Sequence, residues 1–281
     1  MSGLKQILDR HYSDFDFRGR LLKDPIEFPH RYKDPADIEV SAFIAASLAY
    51  GRIDLFKPVI GKILSVMGTR PAGFLSDFAP KRHSGLFNGI SYRFNRTEDI
   101  VGFLYLLHVV IRDHGSMKGL FMDHYSKEDR NIRNALTGMV GGLLAADMTM
   151  IYGSDIKPGG LLQLLPSPAG GSACKRQNLF LRWMVRDRDI DFGLWNEIPA
   201  NKLVIPLDTH IMKISRCLGL TKRGSADWKT AEEITDSLKR FDPEDPLKYD
   251  FALCHHGISG LCRGEHYDAS CAGCAFRGHD R

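Results

Sequence analysis

Apolar residues recur at helical spacing through most of the chain. In "DPADIEVSAFIAASLAYGR" (34–52) Ile38, Phe43, Ile44 and Leu48 sit in a nearly unbroken apolar run opened by Asp-Pro, which predicts a helix lying inside a core. "LFKPVIGKILSVMG" (55–68) predicts a second helix, with Pro58 near its first turn and Gly68 past its end. Between Arg70 and Arg96 glycine, proline and asparagine dominate, so a loop-rich connection is expected, with a short helix in "PAGFLSDF". Helical period returns over 98–112, 116–125, 129–151, 172–186, 209–218 and 227–240, and no alternating run of useful length competes with it. The expected fold class is all-α.

Residues 154–171, "SDIKPGGLLQLLPSPAGG", break the pattern with three prolines and four glycines. Apolar "LLQLL" precedes the break and Ser172 offers a cap directly after it, so a structured hairpin joining two helices is expected rather than a linker. The chain reads as a single helical domain. Its parts are an approximate middle lobe over 70–155, a hairpin region carrying the candidate chemistry over 156–253, and a cysteine-rich tail over 254–281.

Composition excludes little beyond disorder and membrane insertion. Of 281 residues, 43% are hydrophobic and 26% charged, which is ordinary globular chemistry. The greasiest stretches, 103–111 and 135–153, are too short or too interrupted to make good membrane spans. "MSGLKQILDRHYSDFDF" lacks the basic start, apolar centre and cleavage site of a signal peptide, so a cytoplasmic protein with no membrane partner is expected. A net charge of +4 permits a polyanionic partner without demanding one.

Two segments concentrate candidate chemistry. In "KLVIPLDTHIMKISRCLGL" (202–220) the apolar Val204, Ile205 and Leu207 lead to Asp208, Pro206 forbids an earlier helix start, and Ile211, Ile214 and Leu218 recur at helical spacing up to Gly219. Asp208 is therefore a natural N-cap, where a carboxylate accepts backbone N–H bonds and meets the positive end of the helix dipole. In "SACKRQNLFLRWMVR" (172–186) Lys175, Leu179 and Trp183 lie at i, i+4 and i+8, so the lysine shares the stripe that should be buried. Desolvation and the positive dipole end both favour a neutral amine there, which is a nucleophile. The glycine-rich hairpin before it offers free backbone N–H groups to a phosphate, with Arg176, Arg182 and Arg186 adding positive charge. Taken singly, Asp208 is more often a plain cap and Lys175 more often a snorkelling side chain.

Together, "LPSPAGGSACKR" and "PLDTHIMKISRCLGL" resemble the helix-hairpin-helix DNA glycosylase superfamily, which includes endonuclease III and the 8-oxoguanine glycosylases. The fuller pattern, with "RFNRTEDI", "DFGLW" and "IPLDTH", is similar to a bacterial family of that superfamily whose substrate is not settled. The resemblance implies two helical lobes with a helix-hairpin-helix, the hairpin containing Leu165, Pro166 and Gly171. It implies Lys175 as Schiff-base lysine and Asp208 as catalytic aspartate, followed by Thr209 and His210. The implied activity is excision of a damaged, flipped base from double-stranded DNA with an AP lyase step, by a monomer that needs no cofactor for catalysis. Gly170, Gly171, Ser172, Arg176 and His210 are then the candidate DNA contacts, and Tyr50, Arg52 and Trp195 the candidate base-pocket residues, although Trp195 is as readily a core side chain.

Six cysteines with no secretory signal argue against a disulfide framework. Cys174 and Cys217 fall in helices and read as small apolar residues, whereas Cys254, Cys262, Cys271 and Cys274 cluster near the C-terminus. Relatives in the superfamily hold a [4Fe-4S] cluster through C-terminal cysteines, so the resemblance implies such a cluster here. A zinc set completed by His279, or reduced thiols with no metal, stay open beside it. Two other function classes stay open as well: a non-catalytic DNA-binding protein on the same scaffold, and a metal-dependent hydrolase using some of the eleven histidines, among which no His-x-x-x-His or His-Asp cluster stands out.

Overall fold

Asp34 accepts from the backbone N–H of Ala36 at 2.9 Å, and Pro35 occupies the first helical position, so the apolar run that follows winds into helix α3 instead of continuing extended. A computed structural model describes residues 2–260 together with Cys262, Cys274 and Phe276. In chain order the helices are α1 (Ser2–Ser13), α2 (Phe17–Leu21), α3 (Pro35–Leu48), α4 (Ile53–Met67), α5 (Pro71–Ser76), α6 (Pro80–His83), α7 (Thr97–His114) and α8 (Met117–Met122). They continue as α9 (Arg133–Leu144), α10 (Thr149–Tyr152), α11 (Gly159–Leu164), α12 (Lys175–Val185), α13 (Thr209–Cys217), α14 (Trp228–Lys239) and α15 (Asp250–Ile258). The fold is all-α: among the described residues there is no strand, only the isolated bridges Tyr92 to Asn95 and Ser172 to Asp227.

The chain forms two compact units, Leu21–Gly170 and the pair of segments Met1–Arg20 and Gly171–Arg281. In the first of these, α3 is buried on nearly every face, and Phe43 stacks on Phe103 of α7 with centroids 5.8 Å apart. Two buried carboxylates of α3 tie other elements to it: Asp37 accepts from Ala72 N–H of α5 at 2.9 Å, and Glu39 from Met117 N–H at the start of α8 at 2.9 Å. The helix expected over 129–151 is broken between Leu144 and Thr149, where Asp155 accepts from Met148 N–H at 3.1 Å and Asp147 from Thr149 N–H at 2.9 Å.

The other unit joins both ends of the chain. Helix α1 docks through Asp9, which accepts from Tyr249 Oη at 2.6 Å and pairs with Lys248 at 3.2 Å, and through Tyr12, whose hydroxyl donates to Asp189 at 2.8 Å. Helices α13 and α15 pack along each other within this unit. The periodicity of the sequence did not mark α1 or α15. In α15 the reason is physical: Asp250, His255 and His256 are buried along with its apolar residues, so no polar face remains to display a period.

Candidate functional site

The approach to Asp208 is an apolar strap. Leu203, Val204, Ile205 and Leu207 are buried, and Ile205 N–H donates to Thr235 Oγ1 of α14 at 3.0 Å, which fixes the extended backbone. Asp208 follows in extended conformation and caps α13: its Oδ1 accepts from His210 N–H and Ile211 N–H, both at 2.9 Å. The other carboxylate oxygen takes no part in the cap. The Cys254 thiol of α15 approaches it at 3.7 Å, as a donor to Oδ2.

Helix α15 shapes the surroundings of that carboxylate with one stripe. Asp250, Cys254 and Gly257 stand at i, i+4 and i+7 and so share a face. Cys254 meets Asp208. At Gly257 the two helices come so close that an added Cβ would lie 2.7 Å from His210 Cβ, a position only glycine fills without displacement. Burial pushes the Asp250 carboxyl up to about 6, against the pull of Arg182 and with the negative charge of Asp208 pushing the same way as burial. The Oδ1 of Asp250 is fully buried and has no hydrogen-bond partner among the described residues, while Oδ2 pairs with Arg182 at 2.5 Å.

Arg182 leads back to Lys175. Lys175 is the first residue of α12 and is part-buried, and Arg182 lies seven residues on, along the same side of the helix. A chain of direct contacts therefore runs from α12 through Arg182 and Asp250 to α15, and from Cys254 to Asp208 at the start of α13. Sequence reasoning placed Arg182 and Arg186 beside a phosphate. The structure buries both in an ion network instead: Arg182 also meets Asp191 at 3.2 Å, and Arg186 meets Asp189 at 3.1 Å, Asp245 at 2.9 Å and Asp191. Arg176 is buried as well, at 9% exposure. The signal that could have located these partners is the acidic run of Asp187, Asp189 and Asp191 directly after α12.

The entry into α12 differs from expectation. Ser172 does not cap α12; its hydroxyl accepts from Cys174 N–H at 3.1 Å, and Cys174 takes a left-handed conformation (φ 47°) before the helix begins at Lys175. Gly170 and Gly171 are exposed, and Gly171 needs its positive φ of 78°. Gly171 C=O accepts from Trp228 N–H at 3.0 Å and Ser172 bridges to Asp227, so the segment that enters α12 is pinned to the N-terminus of α14.

The candidate base-pocket residues are distributed over both units. Tyr50 and Arg52 belong to Leu21–Gly170, where the Tyr50 hydroxyl donates within the turn around Tyr92 and Asn95, at 2.5 Å to Asn95 Oδ1, and exposed Arg52 pairs with Asp54 at 2.6 Å. Trp195 is a core residue, 1% exposed and edge-to-face with Phe180, because "DFGLW" folds back so that Trp195 N–H and Phe192 N–H donate to the last turn of α12. In this conformation the indole offers no stacking face to a base.

A family model described as a protein of unknown function, DUF2400, matches residues 24–259. The chain belongs to that family. The DUF2400 span contains Lys175, Asp208, Asp250 and Cys254, and it ends before Cys262, Cys271 and Cys274. Nothing among curated proteins or solved structures matches the chain.

The cysteines divide in the same way. Cys254 faces Asp208, and Cys274 Sγ lies 3.7 Å from His256 Nε2. Cys262 is part-buried, and Cys271 and His279 lie outside the described residues. Among the described residues no group of three or more His, Cys, Asp or Glu side chains is arranged to hold a metal ion. Cys174 is buried and its thiol is pushed up to about 11 by desolvation, so it is chemically inert near neutral pH. Among the described residues no helix is long and apolar enough to cross a membrane.

Proposed function

We propose that this DUF2400 protein is a base-excision DNA glycosylase with an associated AP lyase step, acting on a damaged base in double-stranded DNA. What supports this reading is that Lys175 opens α12 and Asp208 caps α13 within one compact unit, linked through the Arg182–Asp250 pair and through Cys254, which meets Asp208 Oδ2.

As the N-glycosidic bond breaks, positive charge grows on the deoxyribose, and the fixed negative charge of Asp208 stabilises it. The amine nitrogen of Lys175 bonds to C1′ and gives up a proton, while the base leaves with the electron pair of the broken bond and takes up a proton. Ring opening then gives an iminium, and loss of a C2′ proton expels the 3′ phosphate. The base has to leave the stack to be reached, at a cost of about a few kcal/mol, which favours damaged or mispaired bases.

The decisive experiment is incubation with a panel of labelled lesion duplexes in the presence of borohydride. The wild type is expected to form a covalent adduct with at least one duplex, and Lys175→Gln to form none while still binding it. Binding with neither cleavage nor adduct across the panel would make the chain a non-catalytic DNA-binding protein.

A further inference from the structure

Taking the glycosylase function as its basis, we infer that Cys254 is the positioning residue of Asp208: its thiol holds the oxygen that the helix cap leaves over, and α15 thereby sets the orientation of the catalytic carboxylate. Four observations converge. The thiol approaches Asp208 Oδ2 at 3.7 Å, within reach of a sulfur donor, while both capping N–H groups use Oδ1. The two N–H bonds hold Oδ1 against rotation, and a contact to Oδ2 from a second helix adds a restraint on the plane of the carboxylate. Cys254 itself is held rigidly, because one turn before it Asp250 is locked to Arg182 at 2.5 Å and one turn after it Gly257 lies against His210. Finally, Cys254 lies within the family's span, whereas the other C-terminal cysteines lie beyond it.

A thiol suits this place better than a stronger donor. It is neutral and weakly bound to the oxygen, so it orients Asp208 without neutralising the charge that the reaction needs. A cation in its position would cancel that charge. Asp250, one turn away on the same stripe, is engaged by Arg182 through Oδ2.

Two arms test the inference on the full-length protein. In the first, which needs no activity, alkylation of Cys254 is followed by peptide-resolved mass spectrometry from neutral to alkaline pH. Asp208→Asn should move the midpoint down by about one unit, because a thiolate beside a carboxylate is disfavoured. An unchanged midpoint overturns the pairing. In the second arm, single-turnover excision by Cys254→Ala should fall about fivefold, with its acidic limb shifted to higher pH, and Cys254→Ser should recover most of the rate because it restores a donor. Wild-type rate and pH profile in Cys254→Ala would overturn the positioning role even if the pairing is real. A wild type that excises nothing overturns the catalytic basis and the role of Cys254 with it, and the alkylation arm distinguishes that failure from a failure of the contact.

Discussion

Arg182 and Asp250, each about 2% exposed, meet at 2.5 Å and join the helix that begins with Lys175 to the helix that carries Cys254. Removing one partner strands a buried charge, so Arg182→Met should destabilise by about 3–5 kcal/mol, whereas a surface arginine would cost little. Urea unfolding of the variant checks this, and a loss below about 1 kcal/mol would mean that the network relaxes around the gap.

Asp250 also gives stability a definite pH dependence. Its carboxyl titrates near 6 in the folded chain, against about 3.9 when unfolded, so the folded state holds the extra proton. That contribution is complete below the unfolded value and is lost as pH rises through about 6. Asp250→Asn cannot titrate, and the Tm of the wild type relative to the variant should therefore fall between about pH 4 and pH 6. A constant difference across that range would place the proton elsewhere.

His256 works in the opposite direction. Burial, with His11 beside it at a ring distance of 5.4 Å, pushes its imidazole down to about 4. The unfolded chain binds this proton near pH 6.5 and the folded chain does not, so stability is complete above that value and is lost as pH falls toward about 4. His256→Gln should flatten that loss in thermal melts, and a variant with the wild-type slope would show that His256 is protonated in place.

Gly257→Ala tests the closeness of α13 and α15 directly. The new methyl would sit 2.7 Å from His210 Cβ, so destabilisation of about 1–3 kcal/mol is expected in chemical denaturation, even though alanine is the better helix former. A stabilised variant would mean that the two helices can part without cost.

Asp208 separates capping from chemistry. Asp208→Asn keeps an acceptor at the cap and should change stability by less than about 1 kcal/mol, while Asp208→Ala should lose about 1 kcal/mol. Both should slow base release by about a hundredfold or more if the charge acts on the sugar. Full excision by Asp208→Asn would reduce Asp208 to a cap.

The C-terminal cysteines have a simple check. A [4Fe-4S] cluster makes anaerobically purified protein brown, and zinc would be released on denaturation. Cys254→Ser should leave either signal unchanged, since its thiol is directed at Asp208. Loss of colour or zinc in that variant would return Cys254 to the metal set.

Local chemistry by itself determined the helical class, the placement of α3, α4, α7, α13 and α14 to within a few residues, and Asp208 as a cap, because period, Asp-Pro and helix-stop signals act over a turn or two of chain. The same signals could not say what a buried charge would meet. Arg182 and Arg186 looked available to a phosphate, and Trp195 to a base, until docking of 187–195 and 245–250 on α12 enclosed all three. Cys254 read as one of four clustered cysteines, yet it faces a residue 46 positions away. Only the tertiary structure decided these partners, because a side chain's periodicity reports which face it occupies, and the identity of the group opposite depends on which distant segment packs there.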